Sequence, residues 1–150
     1  MKTYIYLFFI ALFMSCNSDE ETINYDVQNE ADIIQYLKDN NLTATKSNSG
    51  LYYIINTEGT GNKPTPNSDV TVAYKGYYLN GKVFDQSNAN GASFNLQEVI
   101  TGWTEGITYF KEGGSGILLI PSKLGYGSRD NRGIPGGSVL IFDIKLLEVK

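Results

Sequence analysis

The most restrictive feature of this sequence is an Asn-Gly pair at positions 80 and 81, placed between two strand-like segments. Residues 69–79 alternate apolar and polar side chains, and residues 82–85 return directly after the pair. Both central residues of a type I′ turn need positive φ, which Asn and Gly tolerate, so the pair predicts a tight β-hairpin. Gly76, within the first segment, indicates a bulge or a bend. The chain must therefore be built around a sheet.

Further strands are predicted over residues 51–56, 116–121 and 138–149, whereas residues 43–50 and 122–137 have the composition of loops. In the two longest strands, alternate apolar residues share one face. These residues are Val70, Val72, Tyr74 and Tyr78 in the first and Leu140, Phe142, Ile144 and Leu146 in the second.

Two segments have helical character. Residues 26–41 place Val27, Ala31, Ile34 and Leu37 at i, i+4, i+7 and i+10, which predicts a small amphipathic helix that docks on the domain or, as a less favoured alternative, binds a partner. A second, short helix is predicted from Gly102 to about residue 110. The predicted fold class is α+β: a curled antiparallel β-sheet of four or five strands wrapped around a short α-helix, with an extra N-terminal helix.

Composition excludes several classes of site. The chain has no histidine, which removes every His-dependent triad and every imidazole metal site from consideration. With 12 basic and 16 acidic residues the formal net charge is −4, so no nucleic-acid partner is indicated. The remaining options are carboxylates, hydroxyls, lysines, or a pocket that acts through its shape and polarity.

The first sixteen residues have the pattern of a targeting signal. Met1-Lys2 is followed by an apolar run over residues 4–14, which is too short to span a bilayer but suits the apolar region of a signal peptide. Ser15 then precedes Cys16, the single cysteine. The segment resembles a bacterial lipoprotein signal, in which Cys16 would be lipidated and become the first residue of the mature chain. The alternative is an ordinary secretory signal with an unrelated cysteine.

The predicted organisation is a lipoprotein signal peptide over residues 1–15, an acidic tether over residues 16–25, the N-terminal helix and a loop over residues 26–50, and one working domain over residues 51–150. Asn-Ser-Asp-Glu-Glu at positions 17–21 resembles the export tag of surface lipoproteins in Bacteroidetes, although solvated linkers are also acidic. The expected location is the cell envelope, on the periplasmic face or the outer-membrane surface, with the domain held by the lipid anchor at Cys16.

An apolar cluster occupies residues 94–103 (Phe-Asn-Leu-Gln-Glu-Val-Ile-Thr-Gly-Trp), which include the only tryptophan. Taken alone, such a cluster is as consistent with plain core as with a binding site. Its one carboxylate, Glu98, is not expected to take part in the chemistry.

Five motifs occur in the order and spacing of FKBP-type peptidyl-prolyl isomerases. They are Val-Ala-Tyr-Lys-Gly-Tyr at 72–77, Gly-Lys-Val-Phe-Asp-Gln-Ser at 81–87, Val-Ile-Thr-Gly-Trp-Thr-Glu-Gly at 99–106, Leu-Gly-Tyr-Gly at 124–127 and Leu-Ile-Phe-Asp-Ile-Lys-Leu-Leu at 140–147. With the lipoprotein signal and the preceding helix, the chain is similar to the FKBP-type lipoproteins linked to gliding motility in Bacteroidetes.

This resemblance implies a proline-binding pocket that accelerates rotation about X-Pro bonds in exported or envelope proteins, without metal or cofactor. It implies a floor formed by Trp103, polar members Asp85 and Tyr126, the Ile100 N–H as a donor to the bound peptide, and apolar walls formed by Tyr74, Phe84, Phe94, Val99, Ile100, Ile134 and Phe142. Trp103, Asp85, Tyr126 and Phe142 are the residues to which it assigns catalysis. Proline-containing polypeptides are the implied substrates, and macrolide-type molecules the implied inhibitors.

Tyr74 is a candidate hydrogen-bond donor to Asp85, whose alternative role is that of a buried carboxylate that orders the hairpin. The sequence departs from the family at Ile134-Pro135-Gly136-Gly137, where Ile-Pro-Pro is usual, and at Gly133, which leaves Ile134 as the one residue of the usual apolar pair. These departures indicate a more mobile loop and a weaker grip on substrate. Two other functions stay open: a non-catalytic chaperone that binds proline peptides, and a structural lipoprotein of a gliding or secretion complex.

Overall fold

The computed structural model describes residues 23–150. Two α-helices and seven strands are found there, namely α1 (Tyr25–Asp39), β1 (Thr45–Lys46), β2 (Tyr52–Thr57), β3 (Asp69–Tyr77), β4 (Val83–Gln86), β5 (Ala92–Asn95), α2 (Thr101–Gly106), β6 (Ser115–Ile120) and β7 (Leu140–Val149). Short 3₁₀ helices follow α2 at Ile107–Tyr109 and β6 at Ser122–Leu124. The predicted α+β class is confirmed, but with more strands than the four or five expected. Of the extra strands, β1 has only two residues and lies in a stretch predicted as loop.

All seven strands form one antiparallel sheet with the order β1-β2-β6-β7-β3-β4. Strand β5 also pairs with β3, so β4 and β5 both lie along the outer edge of β3. The first half of β3 pairs with β5, and the second half pairs with β4. Strands β4 and β5 therefore behave as one edge strand that the loop over residues 87–91 interrupts.

The pairing of β3 with β4 shifts register between Gly76 and Tyr77, which confirms the predicted irregularity at Gly76. The turn itself is not type I′. Gly81 has φ of 81°, but Asn80 is not among the residues with positive φ, and Gly81 N donates to Tyr78 O over 2.8 Å. A type I turn completed by one left-handed glycine explains this geometry, because only the last turn residue then needs positive φ.

Each face of the sheet carries its own apolar cluster. The face that α2 covers packs Leu140, Phe142, Ile144 and Leu146 of β7 with Val70 and Val72 of β3, and the predicted inward residues of both strands are confirmed there. The other face packs Ile141, Leu119 and Tyr52 against Ile33 and Leu37 of α1. The sheet is therefore held between the two helices.

Helix α1 docks with a different face from the predicted one. Val27 and Ile34 are 67% and 51% exposed, whereas Asn29 and Ile33 are buried together with Leu37. The predicted stripe of Val27, Ala31, Ile34 and Leu37 shares Leu37 with the buried face but contains neither Ile33 nor the polar Asn29. In the fold, the Asn29 side chain finds hydrogen-bond partners on both sides, so its burial carries little cost.

Helix α2 lies very close to β6 because two glycines face that strand. A Cβ at Gly102 would come within 2.5 Å of Ile120 Cγ2, and a Cβ at Gly106 would come within 2.7 Å of Leu118 Cδ1. No helix within residues 23–150 has the length and apolar character needed to cross a bilayer.

Candidate active site

A cavity of about 500 Å³ opens on the sheet face that α2 covers. This volume falls within the usual range for small-molecule and peptide-side-chain pockets. Its lining comprises Tyr74, Phe84, Asp85, Phe94, Glu98, Val99, Ile100, Trp103, Tyr126, Asn131, Arg132 and Phe142. Nine of the ten pocket residues expected from the sequence are in that set, although they are spread over 69 positions of the chain.

Period-2 alternation places three of the walls. Tyr74 of β3, Phe94 of β5 and Phe142 of β7 lie on the same face of the sheet, which is the face covered by α2. Phe84 comes from β4, directly before Asp85.

Trp103 comes from the first turn of α2 and is only 4% exposed. Three rings surround it edge to face. Its centroid lies 5.1 Å from the Tyr74 ring, 5.4 Å from the Phe94 ring and 5.3 Å from the Phe142 ring. Such T-shaped contacts are the preferred aromatic geometry, and they fix the orientation of the indole. The Phe142 ring also meets Phe84 at 5.5 Å. The floor of the cavity is therefore a rigid aromatic cluster.

The indole Nε1–H of Trp103 is buried without a hydrogen-bond partner among residues 23–150. A buried donor left unpaired costs about 1–3 kcal/mol. The rings packed around the indole provide no acceptor of ordinary strength. This orphaned donor shows how apolar the surroundings of the floor are.

Gly76 gives two of these rings the space they need. A Cβ at this position would lie 2.7 Å from Phe84 Cζ and 2.8 Å from Phe142 Cε1. Any side chain would push the rings into the cavity. The glycine that bends β3 is thus also required for the shape of the pocket.

The polar side of the cavity is built on one hydrogen bond. Tyr74 donates its hydroxyl to Asp85 Oδ2 over 2.8 Å, which confirms the pairing expected from the hairpin. Burial, followed by the hydrogen bond to Asp85 and the charge of that carboxylate, raises the pKa of Tyr74 to about 12. The stabilisation linked to this shift is complete below pH 10 and is lost as the pH rises to 12. Tyr74 therefore stays a donor at any physiological pH.

Asp85 is an exposed residue at the rim of the cavity. The alternative view of it as a buried carboxylate is wrong, because β4 is an edge strand and carries the carboxylate towards solvent. Asp85 consequently keeps access to water while one of its oxygens is held by Tyr74. The carboxylate is oriented without being desolvated.

The backbone contributes a further donor. Ile100 precedes α2, and its carbonyl accepts from Trp103 N over 2.8 Å and from Thr104 N over 3.1 Å. No hydrogen bond from the Ile100 N–H is found within residues 23–150. Thr104 Oγ1 donates to Leu96 O over 2.5 Å and so ties this segment to the helix. A main-chain donor thus stands unpaired at the wall of the cavity.

Tyr126 reaches the cavity from the long loop between β6 and β7. It is half-buried and stands between Gly125 and Gly127. Both of these neighbours donate their N–H groups to Ser122 O, over 3.0 and 2.8 Å. The backbone on both sides of the tyrosine is therefore fixed by hydrogen bonds to one carbonyl, that of Ser122.

Ile134 is the predicted pocket residue that does not line the cavity. It is 8% exposed and packs in the core cluster that includes Trp103 and Phe142. Asn131 N donates to Ile134 O and Ile134 N donates to Asn131 O, so the two residues close a two-residue turn. Both central residues of that turn, Arg132 and Gly133, have positive φ, at 50° and 83°. The turn places Asn131 and Arg132 at the cavity instead.

Three lining residues were not expected from the sequence: Glu98, Asn131 and Arg132. Glu98 had been set aside, although its position directly before Val99 and Ile100 was a usable signal. Arg132 followed by Gly133 resembles a type I′ turn less clearly than Asn-Gly does, because arginine rarely adopts positive φ. These residues give the otherwise aromatic cavity a charged edge.

Residues 23–150 contain no group of three or more Cys, Asp or Glu side chains placed to hold a metal ion. The arrangement offers an apolar cage for a small hydrocarbon ring, with an oriented carboxylate, a phenol and a free N–H at its edge. It offers no nucleophile with an adjacent base.

Comparisons with known proteins agree with this geometry. The family model for FKBP-type peptidyl-prolyl cis-trans isomerases matches residues 60–147, which include every residue that lines the cavity. The FKBP-type peptidyl-prolyl cis-trans isomerase FkpA of Buchnera aphidicola subsp. Schizaphis graminum is 48% identical over 109 residues, a match that covers 71% of this chain and 43% of the relative. The chain thus spans less than half the length of that relative.

Solved structures give the same result. The crystal structure of FkpA from Escherichia coli has a TM-score of 0.74 and 40% identity, covering 83% of this chain and 61% of that one. A peptidyl-prolyl cis-trans isomerase from Pseudomonas syringae has a TM-score of 0.72 and 30% identity, covering 85% of this chain and 97% of the other. The matched sequence, the curled sheet around α2 and the aromatic cavity together establish that this chain belongs to the FKBP-type peptidyl-prolyl cis-trans isomerases.

Proposed function

We propose that this protein is a peptidyl-prolyl cis-trans isomerase that acts on exported or envelope polypeptides. The observation that carries the proposal is the convergence of four aromatic rings, those of Tyr74, Phe94, Trp103 and Phe142, on one cavity of about 500 Å³ with a hydrogen-bonded Tyr74–Asp85 pair at its edge. The family to which the chain belongs supports the same activity.

The chemistry requires no proton transfer and no covalent intermediate. Rotation about an amide bond crosses a barrier of about 20 kcal/mol through a twisted form that has lost its resonance. Twisting makes the carbonyl less polar, so water stabilises the twisted form less than it stabilises the planar ground state. A dry aromatic cavity removes the stabilisation that water gives to the planar form, so the twisted form costs less to reach and the barrier falls. A site without histidine is suited to this reaction.

In this mechanism the proline ring rests on Trp103. Proline has no N–H to satisfy, so its ring presents only hydrocarbon to the cavity. Phe142 and the other apolar residues of the wall, namely Tyr74, Phe84, Phe94, Val99 and Ile100, enclose it. Ile134, the remaining residue implied by the family resemblance, would act only indirectly, by packing beneath the wall against the aromatic cluster. The rigid edge-to-face contacts of the cluster favour binding, because a preformed cage does not need to be ordered by substrate.

The polar groups fix one side of the rotating bond. The Ile100 N–H and the Tyr126 hydroxyl hold peptide carbonyls beside the proline, while Asp85 faces the rotating carbonyl and favours its less polar, twisted state. Macrolide-type molecules, which bury a hydrocarbon ring and present carbonyls, fit the same groups and are proposed as inhibitors.

The test is NMR exchange spectroscopy on short peptides containing Leu-Pro or Phe-Pro, with and without the purified protein. We expect cis-trans exchange to become fast enough to give cross-peaks that the free peptide lacks. If the folded protein binds the peptide without accelerating exchange, it is not an isomerase, and the alternative of a chaperone that binds proline segments is supported.

Tyr74→Phe tests the polar pair. The substitution keeps the ring against Trp103 and Phe94 but removes the hydrogen bond to Asp85. We expect kcat/KM to fall several-fold, while the unfolding free energy changes by only about 1 kcal/mol or less, because the lost bond lies near solvent. Peptide exchange rates and thermal melts measure the two effects.

Tyr78→Phe is the matched control for this experiment. The Tyr78 ring packs at 5.0 Å from the Phe84 ring, and among residues 23–150 its hydroxyl has no hydrogen bond like the one that Tyr74 donates to Asp85. Equal losses of activity in the two variants would show that the orientation of Asp85 by Tyr74 does not matter.

We further propose that Cys16 carries a lipid anchor that holds the domain at an envelope membrane. The signal-like segment before it supports this proposal, and both lie outside the described residues. The acidic tether over residues 16–25 would connect Cys16 to α1, which begins at Tyr25. Cys16→Ser should abolish incorporation of labelled palmitate in cells and release the protein from membranes. Unchanged labelling would exclude Cys16 as the lipidated residue.

A further inference from the structure

Asn29 of α1 is the most buried polar residue of the described chain outside the cavity, with 1% exposure. Its Nδ2 donates to Gly137 O over 2.8 Å, and its Oδ1 accepts from Ser122 N over 2.7 Å. Both partners are backbone groups more than 90 positions away in the sequence. The side-chain amide thus donates to one backbone segment and accepts from another.

These partners are the two ends of one loop. Ser122 is the second residue after β6 and begins a short 3₁₀ helix, and Gly137 lies three residues before β7. Between them the loop carries Tyr126 and Arg132, which line the cavity, and Ile134, which packs beneath it. One side chain on the opposite face of the sheet therefore closes the loop that forms one side of the pocket.

A short chain of hydrogen bonds connects Asn29 to Tyr126. Gly137 accepts from Asn29 through its carbonyl and donates its own N–H to Gly127 O over 2.9 Å. Gly127 follows Tyr126 directly and donates to Ser122 O over 2.8 Å. The route from α1 to the pocket tyrosine therefore passes through the backbone of two glycines.

Other contacts place α1 against the same two ends. Tyr25, the first residue of α1, packs its ring on Gly137, where a side chain would clash with it. Asp26 lies 3.6 Å from Lys123. That ion pair is exposed and contributes little by itself, so the buried amide is the main connection.

We propose that Asn29 is a positioning residue of the proline pocket: by holding both ends of the loop over residues 122–137, it sets the place of Tyr126 and Arg132 at the cavity. The inference rests on the proposed function for its effect on turnover. The N-terminal helix is then a part of the site, although none of its residues touches the cavity. If the loop leaves its competent position part of the time, peptide affinity falls by the fraction lost.

The experiment compares Asn29→Ala with Asn24→Ala. Asn24 caps α1, accepting from the N–H groups of Asp26 and Val27, but does not contact the loop, so its variant reports on helix stability alone. In Asn29→Ala we expect the amides of Gly127 and Gly137 to exchange about tenfold faster, while Leu118 in β6 keeps its protection. In Asn24→Ala all three amides should behave as in the wild type.

Peptide binding provides the functional readout. We expect the Kd for a Leu-Pro peptide, followed by the fluorescence of Trp103, to rise about fivefold in Asn29→Ala, with KM rising in step and kcat staying within about twofold. Asn29→Asp keeps the size and the acceptor but loses the donor. It should therefore free the Gly137 carbonyl and, through it, loosen the Gly137–Gly127 hydrogen bond, while the Ser122 amide keeps its acceptor and stays protected. Because a buried carboxylate is costly, Asn29→Ser, which stays neutral, provides the same test if the alanine variant fails to fold.

Unchanged loop protection or an unchanged Kd in folded Asn29 variants would overturn the proposal, as would an equal loss in Asn24→Ala. The outcome is separable from the proposed function. If the wild type binds peptide without accelerating exchange, isomerase activity is refuted, whereas amide exchange and Kd still decide the role of Asn29.

Discussion

Phe142→Ala is expected to lower kcat/KM for a Leu-Pro peptide by between about tenfold and one hundredfold. Phe142 is 5% exposed, and its ring contacts those of Trp103 and Phe84 at 5.3 and 5.5 Å. The contact of an aromatic wall with the proline ring is worth about 1.5–3 kcal/mol, which corresponds to that range of rate. Peptide exchange by NMR measures the rate at a temperature at which the variant is fully folded.

The matched control is Ile141→Ala. Ile141 is the neighbouring residue of β7, is fully buried, and packs on the opposite face of the sheet with the α1 cluster. Each substitution removes a large buried side chain at a cost of a few kcal/mol of stability, but only one of them borders the cavity. Losses of activity that follow the melting temperature in both variants would make Phe142 a core residue and nothing more.

Ile33→Ala should destabilise the protein by about 2–4 kcal/mol, whereas Ile34→Ala should change its stability by less than about 0.5 kcal/mol. Ile33 is fully buried between α1 and the sheet, and the Ile34 side chain is 51% exposed. Both substitutions raise helix propensity by the same amount, so the difference between them isolates tertiary burial. Urea unfolding, with m-values compared between the variants, measures it.

A larger loss of unfolding free energy for Ile34→Ala than for Ile33→Ala would mean that α1 docks through the face predicted from the apolar spacing. Equal losses would mean that α1 does not dock. This pair also bears on the proposed role of Asn29, which lies one turn before Ile33 on the same face of α1. Undocking α1 from the sheet in Ile33→Ala should therefore also loosen the loop that Asn29 holds, whereas Asn24→Ala removes only the cap at the start of the helix.

The aromatic part of the site was predictable because the family resemblance names Tyr74, Phe94 and Phe142, and strand periodicity agrees by placing Tyr74 and Phe142 on the apolar faces of their strands. The Tyr74–Asp85 hydrogen bond followed from the hairpin in the same way. The exposure of Asp85 did not, because it depends on β4 being the last strand of the sheet. Nothing in the residues around Asp85 indicates strand order.

The order of the loop over residues 122–137 is a second feature that the sequence did not predict. Its glycines and the replacement of Ile-Pro-Pro predict mobility, yet its ends meet Asn29, Gly136 N donates to Asp130 Oδ1 over 2.8 Å, and Ser138 Oγ donates to Pro135 O over 2.6 Å. Composition reports the conformational freedom of an isolated segment. Hydrogen bonds to distant residues are decided by the fold.

The sequence by itself determined the α+β class, the two apolar faces of the long strands and, through the spacing of five motifs, the resemblance to the family, which in turn named nine of the residues that line the cavity. These features depend on alternation and on residue types at fixed spacing, which act over a few residues. Only the tertiary structure decided which face of α1 is buried, that Glu98 and Arg132 reach the cavity, that Ile134 lies beneath it, and that Asn29 ties α1 to the loop of Tyr126. Each of these depends on which groups from remote parts of the chain meet, because burial of a polar side chain is favourable only where distant partners satisfy its hydrogen bonds.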